Sequence, residues 1–175
     1  DLTFRDLLEA LRANFQGHEG LRRFLLSAPK YGSDDDYADS EAVELCRRVS
    51  DRVNGQRNSF GRRFNADYST PSTHLLYGYW VGATPNGRPA REMLNFGVDP
   101  TVGAARRGML ARVKSMQKLP LGTMYGGYAS SLAIDPGALE GKSEAEKLGV
   151  LRSLIDGIFG FQGGGLGAGF YVYFN

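Results

Sequence analysis

Four aspartates near the end of the first fifth of the chain are the densest group of side chains with metal-binding chemistry, namely Asp34, Asp35, Asp36 and Asp39. Hard cations bind several oxygens at once, but the D-x-D-x-D-G spacing and the bidentate glutamate at the twelfth position of a calcium loop are missing. Acids that directly precede a helix also favour its positive end. We therefore favour solvated, helix-capping acids over a metal site.

Cys46 and His74 are the residues whose chemistry suits a nucleophile or a general base. Cys46 falls on the apolar stripe of a predicted helix, with Ala42, Val49 and Val53 at helical spacing. A thiol in such a stripe usually behaves as a small hydrophobic residue. His74 has no second ligand or nucleophile nearby in the sequence, which favours a structural hydrogen-bonding role. Neither residue is a predicted catalyst.

Charged and glycine-rich loops offer possible anion sites. Arg88 and Arg91 follow the turn 84–87 and have the geometry to bind a carboxylate in a bidentate manner, although we favour a role in stabilising that turn. The stretch 137–143 has three residues between its glycines where a P-loop has four, so it is predicted to be a turn before a helix. The stretch 163–169 lacks the G-x-G-x-x-G register and precedes a strand. Nucleotide binding is therefore not expected.

The elements that must position these residues follow from hydrophobic periodicity. The first third is predicted to be helical, with Thr3 and Asp6 forming a capping box and Pro29 ending a helical pair. A helix opened by the capping box of Ser143 and Glu146 is predicted later in the chain. The rest of the pattern is a strand over 73–82 buried on both faces, a helix over 105–119, a strand over 124–134 and a final strand from 170 onwards.

Strand, helix, strand, helix and strand in this order predict parallel strands in an α/β layer. Strands buried on both faces need cover on both sides, and the predicted helices are too few to give it. We expect additional polypeptide to supply the rest. Gly126 and Gly127 remove side chains from the strand 124–134, which predicts close approach of a ligand or another backbone. The loop of about 20 residues after Gly82 exceeds the usual length, which predicts a functional or interface role.

Composition excludes several classes of protein. The 175 residues suit one domain with a real core, and a net charge of +2 is too small to predict a nucleic-acid or membrane partner. One cysteine excludes an internal disulfide framework. No signal sequence or long apolar run is visible. The chain starts at Asp1 without a methionine and ends in an apolar run, so we expect a cytoplasmic segment cut from a longer chain.

Several motifs in fixed order carry a family resemblance. The turn 84–88 matches T/S-x-D/N-G-R, the loop 97–103 matches G-x-x-P-x-x-G, and 115–119 matches the helix ending Ser-x-x-Lys-Leu. Upstream, 14–19 resembles N-F-x-G-x-E, and 29–36 resembles a K-Y-G-N-D-D segment in which Ser33 replaces the usual asparagine. The chain thereby resembles the glycyl radical enzymes, the pyruvate formate-lyase-like family.

The resemblance implies a fold and a mechanism. The family fold is a ten-stranded α/β barrel of two half-barrels, in which 1–72 would be a helical segment and 73–175 a βαβαβ half-barrel segment. The family mechanism uses a thiyl cysteine and a backbone glycyl radical, which a radical-SAM activase installs. By motif order both would lie outside this chain. Gly126 to Ala129 reads Gly-Gly-Tyr-Ala but lacks the Arg-Val that precedes the radical glycine.

The resemblance also implies a role in the substrate pocket. Strand residues facing the barrel interior shape specificity in the family, so Tyr77, Tyr79, Tyr128 and Ser130 are the candidate contacts to a small organic substrate; the alternative is that they only pack. The implied activity is anaerobic radical cleavage or formation of C–C or C–X bonds by the full-length protein, with the segment inert alone and binding no cofactor. The implied partners are the remainder of the barrel or a radical-domain chain, the activase, a small-molecule substrate and a second copy in a homodimer. Two alternatives stay open: a non-catalytic scaffold or partner-binding subunit, and benzylsuccinate synthase-like addition to fumarate, suggested by 125–130.

Overall fold

A computed structural model describes residues 2–70, 73–134, 136–160 and 170–174. The described chain forms two compact units, one from residues 1–29 and 70–95 and the other from 30–69 and 96–175. The helices are α1 Phe4–Arg12, α2 Glu19–Ser27, α3 Asp36–Asn54, α4 Thr73–Trp80, α5 Met109–Gln117 and α6 Glu144–Phe159; the strands are β1 Asp67–Tyr68, β2 Gly127–Tyr128, β3 Ser130–Ile134 and β4 Phe170–Phe174. The boundary predicted at 72/73 concerned family segments rather than compact units, and it stays a prediction.

The first unit begins with the predicted helical pair. The capping box is present: the hydroxyl of Thr3 accepts from the backbone N–H of Asp6, and the carboxylate of Asp6 accepts from the backbone N–H of Thr3. α1 ends at Arg12, because Asn14 and Phe15, two and three residues further on, adopt positive φ. This turn buries the Phe15 side chain.

The strand predicted over 73–82 is wrong, because Thr73–Trp80 forms the α-helix α4. A short run that is apolar throughout fits either a buried strand or a helix, and tertiary contacts decide between them. Here Gly78 lies against the following segment: a Cβ at this position would be 2.4 Å from the carbonyl oxygen of Glu92. This close approach packs α4 against the residues that follow it in the chain.

The predicted turn after α4 is confirmed. The N–H of Gly87 donates to the carbonyl oxygen of Thr84 at 3.0 Å, and the N–H of Thr84 donates to the carbonyl oxygen of Arg88 at 3.0 Å. Pro85 and Asn86 occupy the central positions that suit proline and asparagine. Gly87 has a φ of 93°, which glycine adopts without steric cost.

The second unit holds the larger core. Its buried cluster comprises Val98, Val113, Met116, Leu119, Met124, Leu132 and Ile158. α3 and α5 pack side chains onto this cluster, with Ala42 and Cys46 among the partly buried contacts from α3. The predicted helix 105–119 forms only from Met109, because the preceding residues make turns that include Gly103 and Gly108 at positive φ.

Parallel strand pairs complete the second unit. β1 pairs with β2, placing Tyr68 beside Tyr128, and β3 pairs with β4 in the register Ser130 to Phe170. The predicted strand 124–134 is therefore two short strands that break at Ala129. α6 lies between β3 and β4 in sequence and opens with the predicted capping box of Ser143 and Glu146. The α/β class is confirmed by this βαβ connection.

Candidate functional site

The segment β2–β3 carries two of the four predicted pocket residues. Tyr128 lies on β2, is half-buried against the core cluster, and has a phenol whose pKa is raised by burial. Gly126, just before β2, donates its N–H to the carbonyl oxygen of Ala66 at 2.8 Å. A Cβ on Gly126 would be 2.9 Å from that same oxygen. The close backbone approach predicted for this glycine is thus confirmed.

Ser130, at the start of β3, is fully buried. Its hydroxyl donates a short hydrogen bond to Oδ1 of Asp99 and lies 3.5 Å from the sulfur of Met116. Because the hydroxyl is occupied and the residue has no exposed surface, Ser130 presents nothing to a small molecule in this conformation. Ser130 therefore affects the candidate pocket only by holding β3 in position.

Sequence reasoning missed the pair of residues that holds Ser130 in place. Asp99 is 8% exposed, and its Oδ1 lies 2.8 Å from a terminal nitrogen of Arg112 on α5. The same Arg112 nitrogen donates to the carbonyl oxygen of Ser131 at 2.7 Å, and Oδ2 of Asp99 accepts from the N–H of Ser131 at 3.2 Å. An arginine on an otherwise apolar helical face was the one signal in the sequence that pointed to a buried acid partner.

Tyr77 and Tyr79 lie on α4, in the unit formed by 1–29 and 70–95, whereas Tyr128 and Ser130 belong to the other unit. About half of each of the two α4 tyrosines is exposed. Residues two apart on a helix do not share a face. Accordingly, Tyr77 contacts the ring of Trp80 with centroids 6.2 Å apart, while the guanidinium of Arg91 lies 5.3 Å from the centroid of the Tyr79 ring.

The aspartate cluster binds a lysine. Nζ of Lys118 lies 2.7 Å from Oδ2 of Asp39 and 2.9 Å from carboxylate oxygens of Asp34 and Asp36. The hydrogen bond to Asp39 is the main cause that raises the pKa of Lys118, and the hydrogen bond from Lys118 lowers the pKa of Asp34. Asp35 caps α3 by accepting from the N–H of Ala38, as predicted for these acids. Across the described residues, no group of three or more ligating side chains is arranged to hold a metal.

The prediction that these acids are solvated is wrong for Asp39, which is fully buried. Besides Lys118, its carboxylate accepts from the hydroxyl of Ser115 at 2.9 Å and from the N–H of Gly32 at 3.4 Å. These bonds join the start of α3 to the loop before it and to the end of α5, so the cluster is a structural tie inside the second unit.

Cys46 and Arg88 occupy structural positions. Cys46 is half-buried on α3, and burial raises the pKa of its thiol, which is the opposite of what activates a nucleophile. Arg88 is 6% exposed and donates to the carbonyl oxygens of Gly82, Pro89 and Glu92. Its guanidinium therefore ties together the loop after α4, as favoured from the sequence. Arg91 stacks on Tyr79 instead.

The first glycine-rich stretch, 137–143, leads into α6. Residues Pro136–Leu139 form a 3-10 turn, and Ser143 then caps α6. The predicted turn before a capped helix is confirmed there. The stretch 163–169 lies outside the described residues.

Comparison with known proteins identifies the family. The family model described as Pyruvate formate lyase-like matches residues 1–78. A trans-4-hydroxy-L-proline dehydratase from Clostridioides difficile is 30% identical over 90% of this chain, and an isethionate sulfite-lyase from Bilophila wadsworthia is 35% identical over 84% of it. The crystal structure of a glycyl radical enzyme from Archaeoglobus fulgidus superposes on the whole chain with a TM-score of 0.82 and 31% identity. The chain belongs to the pyruvate formate-lyase-like family of glycyl radical enzymes.

The chain covers only part of the length of its relatives. The chain spans about a fifth of each of these three relatives: 20% of the dehydratase, 18% of the sulfite-lyase and 21% of the A. fulgidus enzyme. Within the described ranges, no helix of this glycyl radical enzyme segment combines the length and apolarity needed to cross a membrane.

Proposed function

We propose that this chain is a barrel segment of a full-length glycyl radical lyase that cleaves a carbon–heteroatom bond in a small organic substrate. The observation that carries the proposal is the similarity over 84–90% of the chain to a dehydratase and a sulfite-lyase. A dehydratase removes water and a sulfite-lyase releases sulfite, so both names describe elimination of a leaving group from carbon. Those names favour C–X cleavage over formate acetyltransferase-like chemistry or addition to fumarate.

Exposed apolar surface supports the proposal that further polypeptide covers this segment. In the first unit, α4 exposes about half or more of Leu75, Leu76 and Trp80. In the second unit, α6 exposes Leu148 and Ile155 to a similar degree. Exposed apolar side chains grouped on one helix favour a surface that another element buries. A ten-stranded barrel in the full-length protein would supply such elements.

The role proposed for the segment is pocket wall. Tyr77, Tyr79 and Tyr128 each combine an apolar ring with a polar hydroxyl, which suits the lining of a small-molecule site. Ser130 is proposed to act indirectly, since its hydroxyl is bound to Asp99. The thiyl cysteine, the radical glycine, the radical-SAM activase, a homodimer and a cytoplasmic location belong to the same proposal for the full-length protein.

Anaerobic activation of the full-length protein tests this function. The protein is incubated with a radical-SAM activase, and the electron paramagnetic resonance spectrum is recorded before and after addition of trans-4-hydroxy-L-proline or isethionate. A glycyl doublet together with loss of either substrate supports the lyase. The non-catalytic scaffold predicts no doublet, under conditions in which a known relative treated with the same activase gives one.

A further inference from the structure

On the edge of β3 that faces away from β4, the first backbone hydrogen bond of a parallel ladder is made, and the next two are not. The N–H of Val98 donates to the carbonyl oxygen of Ala129 at 2.9 Å. In a parallel ladder, the N–H of Ser131 would next donate to the carbonyl oxygen of Val98, and residue 100 would then donate to the carbonyl oxygen of Ser131. The segment 97–100 lies where a neighbouring strand would be.

Neither of these later bonds is made by the backbone. The carbonyl oxygen of Val98 accepts from the hydroxyl of Tyr31 at 3.0 Å instead. Residue 100 is proline, which has no N–H to donate. A strand residue directs its N–H and its carbonyl oxygen to the same edge. Both groups of Ser131 would therefore lack partners at this edge if only the backbone were available.

Two side chains supply the missing partners. The carboxylate of Asp99 accepts the N–H of Ser131 in place of the Val98 carbonyl, at 3.2 Å. The guanidinium of Arg112 donates to the carbonyl oxygen of Ser131 in place of the absent proline N–H, at 2.7 Å. The two side chains also bind each other at 2.8 Å, and the carboxylate accepts the hydroxyl of Ser130 as well. The ion pair thus takes the place of one residue of a neighbouring strand.

We propose that Asp99 and Arg112 are positioning residues that complete the edge of β3 and thereby fix the strand next to Tyr128 in the substrate pocket. The expected effect on turnover rests on the proposed function. Its structural part stands on the hydrogen bonds alone. Because both residues hold the backbone of Ser131, losing either one releases the same short stretch of chain.

The chemistry of the substitutions makes the proposal specific. The two acceptor oxygens of Asp99 bind donors from Ser130, Ser131 and Arg112, and an asparagine at this position would turn an NH₂ group toward one of these donors. Asp99→Asn keeps the size and removes the charge, and Arg112→Leu removes the donor. The exposed pair Arg152 and Asp156 on α6, 3.8 Å apart, provides matched controls as Asp156→Asn and Arg152→Leu.

Hydrogen–deuterium exchange on the full-length protein gives the direct test. In both variants, peptides covering 127–134 are expected to exchange about tenfold faster than in the wild type. The reason is that local opening of this stretch no longer requires the bonds to Asp99 and Arg112 to break. Exchange in peptides from α1 and α2, and in both control variants, stays as in the wild type. If peptides 127–134 exchange at the wild-type rate in Asp99→Asn and Arg112→Leu, the proposal is overturned.

The double variant Asp99→Asn/Arg112→Leu keeps the test valid if a single variant folds poorly. Two residues that act as one unit give non-additive effects, so the double variant should exchange no faster than the worse single variant. Additive acceleration in the double variant would contradict a shared role.

Turnover separates positioning from a loss of folded protein. After activation, the radical content of the variants should equal that of the wild type, while KM for whichever probe is turned over rises several-fold. A fall of kcat in proportion to radical content, with KM unchanged, contradicts positioning. If the wild type forms no radical, the proposed function fails. In that case, or if neither probe is consumed, the exchange comparison still decides the role of the pair.

Discussion

Nζ of Lys118 lies 2.7 Å from Oδ2 of Asp39, a carboxylate that has no exposure to solvent. The two residues are 79 positions apart in the sequence, so the contact joins the start of α3 to the end of α5. Placing a carboxylate in the interior is costly unless a cation and hydrogen bonds compensate it. Lys118 provides the cation, and Ser115 provides a further hydrogen bond.

Lys118→Met is therefore expected to destabilise the protein strongly. Removing the ammonium leaves Asp39 buried without a counter-charge, which costs about 3 kcal/mol or more of unfolding free energy. Urea denaturation of the full-length protein, followed by far-UV circular dichroism, measures the loss. Lys114→Met is the matched control, because its ammonium is mostly exposed and lies 3.5 Å from Asp34. Equal urea midpoints for the two variants would contradict a buried tie at Asp39.

The same cluster predicts a dependence of stability on pH. The hydrogen bond from Lys118 holds the pKa of Asp34 below its ordinary value of 3.8. A lowered pKa means that the ionised form stabilises the fold above 3.8, and that this contribution is lost as the pH falls through the lower folded-state pKa. In Asp34→Asn, the difference between urea midpoints at about pH 6 and about pH 3 is expected to be smaller than in the wild type. A midpoint difference as large as that of the wild type would show that Asp34 does not contribute.

Local signals in the sequence predicted local structure correctly. The capping boxes of Thr3 with Asp6 and of Ser143 with Glu146 involve residues three apart, so their partners are fixed by helix geometry alone. The turn 84–87 was likewise predictable, because proline and Asn-Gly restrict the backbone by themselves.

Contacts between distant positions were beyond the reach of sequence patterns. The segment Thr73–Trp80 is apolar throughout, so nothing in its own periodicity distinguished α4 from a strand. In the sequence, Asp99 is only one position of the loop 97–103, and its partners Arg112 and Ser130 approach it through tertiary folding. Family resemblance identified the family without locating this pair, because the motif spacing carries no information on which side chains meet.

Gly97 allows the segment 97–100 to approach β3 closely, and a substitution at this position tests that approach. Its φ is 51°, and a Cβ there would be 2.0 Å from the carbonyl oxygen of Ala129, a backbone atom that cannot turn away. Gly97→Ala is therefore expected to cost about 3 kcal/mol or more in unfolding free energy. Thermal or urea denaturation measures the loss. Gly122→Ala serves as control, since no heavy atom beyond the two adjoining residues lies within 4 Å of its added methyl group.

Cys46 gives the final prediction, which separates this thiol from the radical chemistry of the family. Burial raises the pKa of the Cys46 thiol above its ordinary value of 9.0, so less thiolate is present near neutral pH than in an unfolded chain. Alkylation of Cys46 by iodoacetamide, followed by peptide mass spectrometry, should be slower in the folded protein than in urea. The rate should rise as the pH approaches the raised pKa.

Cys46→Ala extends this prediction to catalysis. The full-length variant is expected to keep its glycyl radical and its turnover, with a loss of about 1 kcal/mol in stability from the smaller side chain. Cys46→Ser, which keeps the size of the side chain, separates packing from reactivity. If both variants retained the radical but lost all turnover, Cys46 would have to carry the thiyl radical. The half-buried thiol packs from α3 against the core cluster, which is a structural position.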